Sequence, residues 1–206
     1  ITPEALAYIF PSNPLRNQEL TQDAAALTFS STNVLDIWAG PVSLAVGAEW
    51  RKEEIDGSVD KYYEAGWLYG NYKVTKGDYT VKEAFFETVV PIWKSLEFNG
   101  AFRATDYSVS GSVETWKAGL TFAPLDDVKF RFTRSRDIRA PNLSELFASG
   151  TARTNTVNVP DGVGGAVRSN QFVENTTGSL ALTPEVADSI GFGVVFSPRF
   201  APGLTF

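Results

Sequence analysis

The densest run of side chains able to do chemistry lies between Arg134 and Phe147, reading Arg-Ser-Arg-Asp-Ile-Arg-Ala-Pro-Asn-Leu-Ser-Glu-Leu-Phe. Arg134, Arg136, Asp137 and Arg139 leave the end of a strand as a charge cluster. A guanidinium is a planar fork that grips a carboxylate through two hydrogen bonds. The cluster could therefore hold the following loop, or another folded segment of the same protein, in register, or it could be a solvated rim of little energetic weight. Pro141, Asn142 and Glu145 read as a helix start, with Asn142 capping the first turn and Glu145 reaching back to the cap. Leu143, Leu146 and Phe147 would then pack downward. A second concentration is aromatic: Tyr62, Tyr63, Trp67, Tyr69 and Tyr72 share one polar loop. Aromatic faces stack on sugars or flat chelates, and tyrosine adds a polar tip. The alternative is a loop that packs on itself.

Other chemistries are excluded or weakly supported. The 206 residues contain no histidine and no cysteine, so Ser-His-Asp and Cys-His catalysis, disulfides and thiolate or imidazole metal sites are all ruled out. No catalytic residue, metal or cofactor is assigned, and an enzyme is not expected. The Asp-Gly pairs at 56–57 and 161–162 lack the acidic spacing of a calcium loop and read as turns. Glu83 and Glu87 could imitate a glycosidase pair, but the same spacing is expected on any polar sheet face. With 24 acidic against 18 basic residues the net charge is −6, which argues against nucleic acid as a partner.

The elements that would position these groups alternate with period two. Residues 1–20 read as loop with a short helical turn at Glu4 to Ile9. A strand lies within Asp23–Ile37, broken near Ser30 to Asn33. In Val42–Arg51, Leu44, Val46, Ala48 and Trp50 oppose Ser43, Ala45, Gly47, Glu49 and Arg51. Further strands are expected at Tyr79–Val90, Leu96–Tyr107, Val113–Phe122, Val128–Arg134 and Val186–Phe196, with an eighth starting at Leu204. Residues 148–183, rich in Gly, Asn, Thr and Val, read as a long loop.

Short turns at 39–41, 91–95, 123–127 and 197–203 alternate with connections at 52–79, 108–112 and 135–185, two of them long. That asymmetry suits an antiparallel transmembrane β-barrel wall, with short periplasmic turns and long outer loops. Trp38, Trp93, Phe122 and Phe196 beside the short turns, and Trp50 and Tyr107 at the opposite ends, would form two aromatic girdles. Glu49, Arg51, Glu97, Asn99, Arg103, Lys117, Lys129 and Arg131 would share the inward surface. Two alternatives remain: a soluble β-sheet domain holding carbohydrate on its aromatic loop, and a small complete outer-membrane barrel.

The segment from Arg134 to Phe147 resembles the R-x-R-D-x-R-A-P-N-L-x-E-L-F stretch of TonB-dependent receptors, the plugged outer-membrane transporters of Gram-negative bacteria. Residues 39–53, 115–124, 182–189 and 194–200 resemble family strands and turns in matching order. The resemblance implies that residues 1–206 are seven or eight strands of a barrel of about 22, without plug or remaining strands. It implies uptake of an iron-siderophore, cobalamin or oligosaccharide, energised through TonB. The implied partners are the plug of the same receptor, the TonB complex, outer-membrane lipid and the small-molecule ligand. The chain begins with Ile1 and is read as an internal piece of a longer precursor. Alone it should expose long edges and an apolar face to water. Aggregation in buffer with β-structure gained in detergent micelles is therefore expected; a monodisperse monomer with a cooperative melt would sink the barrel-wall reading.

Overall fold

The computed structural model describes residues 2–9, 13–65, 71–160, 167–201 and 203–205. In chain order the elements are α1 (Pro3–Ile9), β1 (Arg16–Ile37), β2 (Gly40–Val59), α2 (Lys61–Glu64), β3 (Asn71–Tyr72), β4 (Lys76–Trp93), β5 (Leu96–Tyr107), β6 (Gly111–Leu125), β7 (Val128–Arg139), α3 (Leu143–Phe147), β8 (Thr151–Pro160), β9 (Val167–Thr176) and β10 (Glu185–Phe196). Seven strands form one sheet in the order β1-β2-β4-β5-β6-β7-β10, with β1 and β10 as its edges. The antiparallel strands β3, β8 and β9 form a second, smaller sheet.

Register fixes which residues share a face. Phe86 opposes Phe102, Phe102 opposes Trp116, and Leu120 opposes Phe132, which opposes Phe192. Phe86–Phe102 and Phe122–Phe130 stack with ring centroids 6.2 and 6.4 Å apart. The opposite face carries Glu97 beside Thr121, Arg103 beside Thr115, and Arg131 beside Gly193. On that face Arg103 reaches Glu83 at 2.9 Å and lies over the Phe85 ring. Gly47 sits under the same ring, where an added Cβ would be 2.6 Å from Phe85 Cζ. One apolar and one mixed-charge face are what strict alternation requires.

At the short-turn end, neighbouring connections are tied together. The turns at 94–95 and 126–127 are two residues long, tighter than the sequence suggests. Trp38 Nε1 donates to the Ile92 carbonyl at 2.9 Å. Ala123 N donates to Ser95 O, and Ser197 N to Asp127 O, both at 2.8 Å. Arg199 reaches Asp127 at 2.7 Å and Asp126 at 3.1 Å. Trp38 and Trp93 are 81% and 67% exposed.

At the other end the strands outrun their expected limits. β1 begins at Arg16, β2 continues to Val59, β4 begins at Lys76 and β7 runs to Arg139. The Asp56-Gly57 pair is therefore inside β2 rather than in a turn. Gly57 is there because a Cβ would lie 2.6 Å from the Thr75 carbonyl oxygen. The segment 148–183 contains the β8–β9 hairpin. No strand starts at Leu204: Leu204 and Thr205 have no regular structure. In β1, Phe29 and Val34 border one hollow with Leu44 and Val46. Strict alternation would put residues five apart on opposite faces, so parity changes between them. A Ser31 hydroxyl bonded to both the N–H and the C=O of Asn33 marks the place, as a β-bulge would.

The chain divides into two compact units: Ile1–Gln22, Glu53–Asp78 and Asn142–Leu182 in one, and Asp23–Lys52, Tyr79–Pro141 and Thr183–Phe206 in the other. The first contains buried Ile55, Thr75, Leu143 and Leu146; the second contains buried Tyr79, Val81 and Thr105.

Candidate functional site: an aromatic and cationic cluster and a charged wall

In the first unit, α2 is one turn long and depends on its cap. Asp60 Oδ1 accepts from the N–H groups of Tyr62 and Tyr63, both at 3.1 Å, and Oδ2 accepts from Leu15 N at 2.8 Å. Asp60 N in turn donates to Leu15 O at 3.0 Å, so the residues just before β1 are fastened to the start of α2. The cap presents Tyr62 and Tyr63. Tyr63 meets Tyr72 edge-to-face at 5.3 Å, and the Arg16 guanidinium lies 5.0 Å from the centre of the Tyr72 ring. Lys61 Nζ stands 5.2 Å from the Tyr62 ring centre. Arg16 reaches Thr75 Oγ1 at 3.5 Å, while its buried Nε has no hydrogen-bond partner among the described residues. Arg16 over Tyr72, Tyr72 against Tyr63, and Lys61 beside Tyr62 offer cationic, stacking and hydroxyl groups.

Desolvation pushes the Asp60 carboxyl up, but hydrogen bonds from Leu15, Tyr63 and Tyr62 and the charge of Lys61 outweigh it, and the pKa lies below the ordinary value. The sign follows from linkage: a depressed carboxylate contributes stability that is present above its unfolded pKa and lost as pH falls through the folded one. Amide-exchange protection at Tyr62 and Tyr63 is therefore expected to persist through neutral and mildly acidic pH. It should vanish only once pH falls below the ordinary aspartate range. Asp60→Asn should remove most of that pH dependence; an unchanged profile would show that the cap is irrelevant.

The helix start is built as its residues suggest. Asn142 Oδ1 accepts from Glu145 N, and Asn142 N donates to Glu145 Oε2, both at 2.9 Å. Leu143 and Leu146 are buried. Phe147 lies on Gly77, which leaves no room for a Cβ. Ser179 N donates to Glu145 O at 2.9 Å, Gly178 N to Ala148 O at 2.7 Å, and the Ser149 hydroxyl to Val74 O. Pro141, immediately before the cap, is buried.

In the second unit the charge cluster does not leave the strand; it stays on β7 and alternation divides it. Arg134 and Arg136 share the face of Phe130 and Phe132, whereas Asp137 and Arg139 share the face of Lys129 and Arg131. Arg136 holds Asp188 through two bonds of 2.8 and 2.9 Å, and Arg139 holds Glu185 at 2.7 Å. Arg134 lies over Trp116, 5.9 Å from the ring centre.

The structure brings Tyr63 and Tyr72 together and places Tyr62 next to Tyr63 in α2, beside Lys61; Trp67 and Tyr69 lie outside the described residues. Sequence reasoning missed Arg16 and Lys61. Arg16 is isolated in a Pro- and Asn-rich stretch, and nothing local points to it. Lys61 adjoins Tyr62 and was legible as a basic neighbour of the aromatic loop.

Nothing among curated proteins matches the chain. By fold it is similar to the siderophore receptor PirA from Acinetobacter baumannii, with 17% identity and a TM-score of 0.64, covering 89% of this chain and 25% of that one. It is similar to a double mutant of the ferric enterobactin receptor PfeA from Pseudomonas aeruginosa, with 16% identity and a TM-score of 0.67, covering 91% and 26%. A PfeA single mutant in complex with enterobactin gives 17% identity and a TM-score of 0.63, covering 92% and 26%. The chain therefore spans about a quarter of the length of these receptors. The family described as TonB dependent receptor-like, beta-barrel matches residues 4–205. Alternating faces, tight turns at one end and a match along nearly the whole sequence place this chain in the TonB-dependent receptor family, as a stretch of its β-barrel wall.

Proposed function

We propose that this chain is part of an outer-membrane receptor that takes up a ferric siderophore, with energy delivered by TonB acting on the plug. The family match over residues 4–205 carries the reading. The cargo class is supported by the cluster of Arg16, Lys61, Tyr62, Tyr63 and Tyr72. An anionic chelate with flat aromatic arms would meet cations and ring faces there. PirA and PfeA, which share the fold, are described as siderophore and ferric enterobactin receptors. The mixed-charge face, with Glu83, Arg103, Lys117, Asp137 and Arg139, suits a lumen that grips a folded plug by ion pairs. Arg139, Pro141, Asn142 and Glu145 would anchor the outer loops over it.

The test is uptake of iron-labelled catecholate chelate by cells expressing the intact receptor, with and without TonB. TonB-dependent accumulation is expected. Accumulation without TonB would defeat the energised mechanism, and no accumulation of any ferric chelate would defeat the cargo class. In the same receptor, Arg16→Gln should weaken chelate binding by about tenfold or more, the usual cost of one charge-assisted hydrogen bond. Unchanged affinity would remove the cluster from the binding site.

A further inference from the structure

The β8–β9 hairpin carries a long sheet edge with no protection built into it. β8 and β9 pair from Thr151↔Thr176 to Pro160↔Val167 in one unbroken register. β8 lies between β3 and β9, so β9 is an edge of the three-stranded sheet, and among the described residues nothing pairs with its outer side. Strands are commonly about five or six residues long. This edge has 10, Val-Arg-Ser-Asn-Gln-Phe-Val-Glu-Asn-Thr, all of them exposed. Sheet edges are usually blunted by proline, lysine, a bulge or shortness, and β9 has none of these. Its outward N–H and C=O groups are a template for one more strand.

The charges on β9 select that strand. It holds one cation and one anion, Arg168 and Glu174, placed symmetrically about Gln171. Within the hairpin Arg168 stands opposite Val159, whereas Glu174 stands opposite Arg153 and accepts a bond from Asn155 Nδ2 at 3.1 Å. An antiparallel copy of β9 centred on Gln171 sets Arg168 against the partner's Glu174 and Glu174 against the partner's Arg168, so unlike charges meet twice across a two-fold axis. Gln171 then faces the partner's Gln171. Phe172 and the partner's Phe172 become diagonal neighbours on the face of the ion pairs, within reach of aromatic rings. Sliding the copy by two residues either way faces Arg168 with the partner's Phe172 or the partner's Thr176 and loses both ion pairs. A parallel copy in register sets like charges together, which is unfavourable.

We propose that β9 is a docking edge for a second copy of this chain, two receptors joining hairpin to hairpin through antiparallel β9 strands centred on Gln171. Backbone hydrogen bonds supply the attraction. The two Arg168–Glu174 pairs, individually weak when exposed, fix the register. The surface is independent of which cargo the receptor carries, so failure of the uptake reading would leave it standing.

The experiment uses the intact receptor in native membranes, with one cysteine introduced on β9 and mild copper-catalysed oxidation. The 206 residues contain no cysteine to compete, and the unaltered receptor controls for any elsewhere. Gln171→Cys puts two thiols directly opposite, at the Cα separation of about 4.5–5.5 Å that a disulfide spans. Val173→Cys is on the same face and also exposed, but its counterpart lies four residues along, more than about 13 Å away. A disulfide does not bridge Cα atoms beyond about 7 Å, so a dimer band about tenfold stronger for Gln171→Cys is expected. Adding Arg168→Glu sets like charges opposite each other and is expected to cut that band about fivefold. If Arg168→Glu fails to fold, the two cysteine positions still decide. Equal bands at both positions would show chance collision and overturn the proposal. So would no band at either, the result if another segment of the receptor or an extended peptide covers the edge. A Gln171→Cys band indifferent to Arg168→Glu would overturn the register on which the proposal stands.

Discussion

Leu146→Ala in the intact receptor is expected to destabilise the α3 region by about 2–5 kcal/mol, the range for truncating a buried leucine whose surroundings cannot collapse. Leu146 is 3% exposed and Leu143 6%. The helix is only Leu143–Phe147, far too short to persist on intrinsic propensity, so burial and the Asn142–Glu145 capping pair hold it together. Limited proteolysis would read the effect as new cleavage within residues 142–150 while the seven strands of the larger sheet stay protected. An unchanged cleavage pattern would mean that α3 is held by the cap alone. Asn142→Ala provides the calibration, at about 1 kcal/mol for a lost cap.

Gly57→Val is expected to be more disruptive locally, for a different reason. The obstacle to a side chain there is the Thr75 backbone carbonyl, 2.6 Å from an added Cβ, with Thr75 N at 3.2 Å. A side-chain obstacle can rotate away, but a backbone one moves only if the strand moves. The valine should separate β2 from the start of β4, exposing buried Ile55 and Thr75 and breaking the 2.8 Å Lys76–Asp56 pair. Because Tyr72 and Thr75, which contact Arg16, precede β4 directly, chelate affinity should fall together with protease resistance. Loss of neither would show that the strands accommodate the change. By contrast, Gly111→Ala has open space around it and is strained only by its φ of 84°, so it should cost little more than the usual penalty of that conformation, about 1–2 kcal/mol.

The central strands were legible because their two faces differ in chemistry. Leu96–Tyr107 came out with the bounds the alternation gives, and β10 within a residue. The outer extensions were less legible because charged residues interrupt the apolar alternation there: Lys52, Glu53 and Glu54 run together in β2, and Arg134, Arg136, Asp137 and Arg139 crowd β7. Glycine misled for the same reason that it matters. Gly57 reads as punctuation, yet it marks a close approach to a carbonyl, as Gly77 does to the Phe147 ring, and close approaches between distant segments leave no local signature. The β8–β9 hairpin was hidden by a composition that suits loops. The arginine run was read as one cluster because its members are adjacent in sequence; on an extended chain, adjacency is what separates them.

The two-residue turns carry an evolutionary consequence. A turn of two residues has no slack, and the ties among Trp38, Ile92, Ser95, Asp127 and Arg199 remove what little remains. One residue inserted at 94–95 or 126–127 would invert the facing of the strand that follows, turning its phenylalanines inward and its charges toward lipid. At the opposite ends, where strands already run past the two-faced zone, an insertion shifts nothing that must alternate. Length variation among descendants of this gene should therefore accumulate at the ends away from the two-residue turns, without the wall being rebuilt.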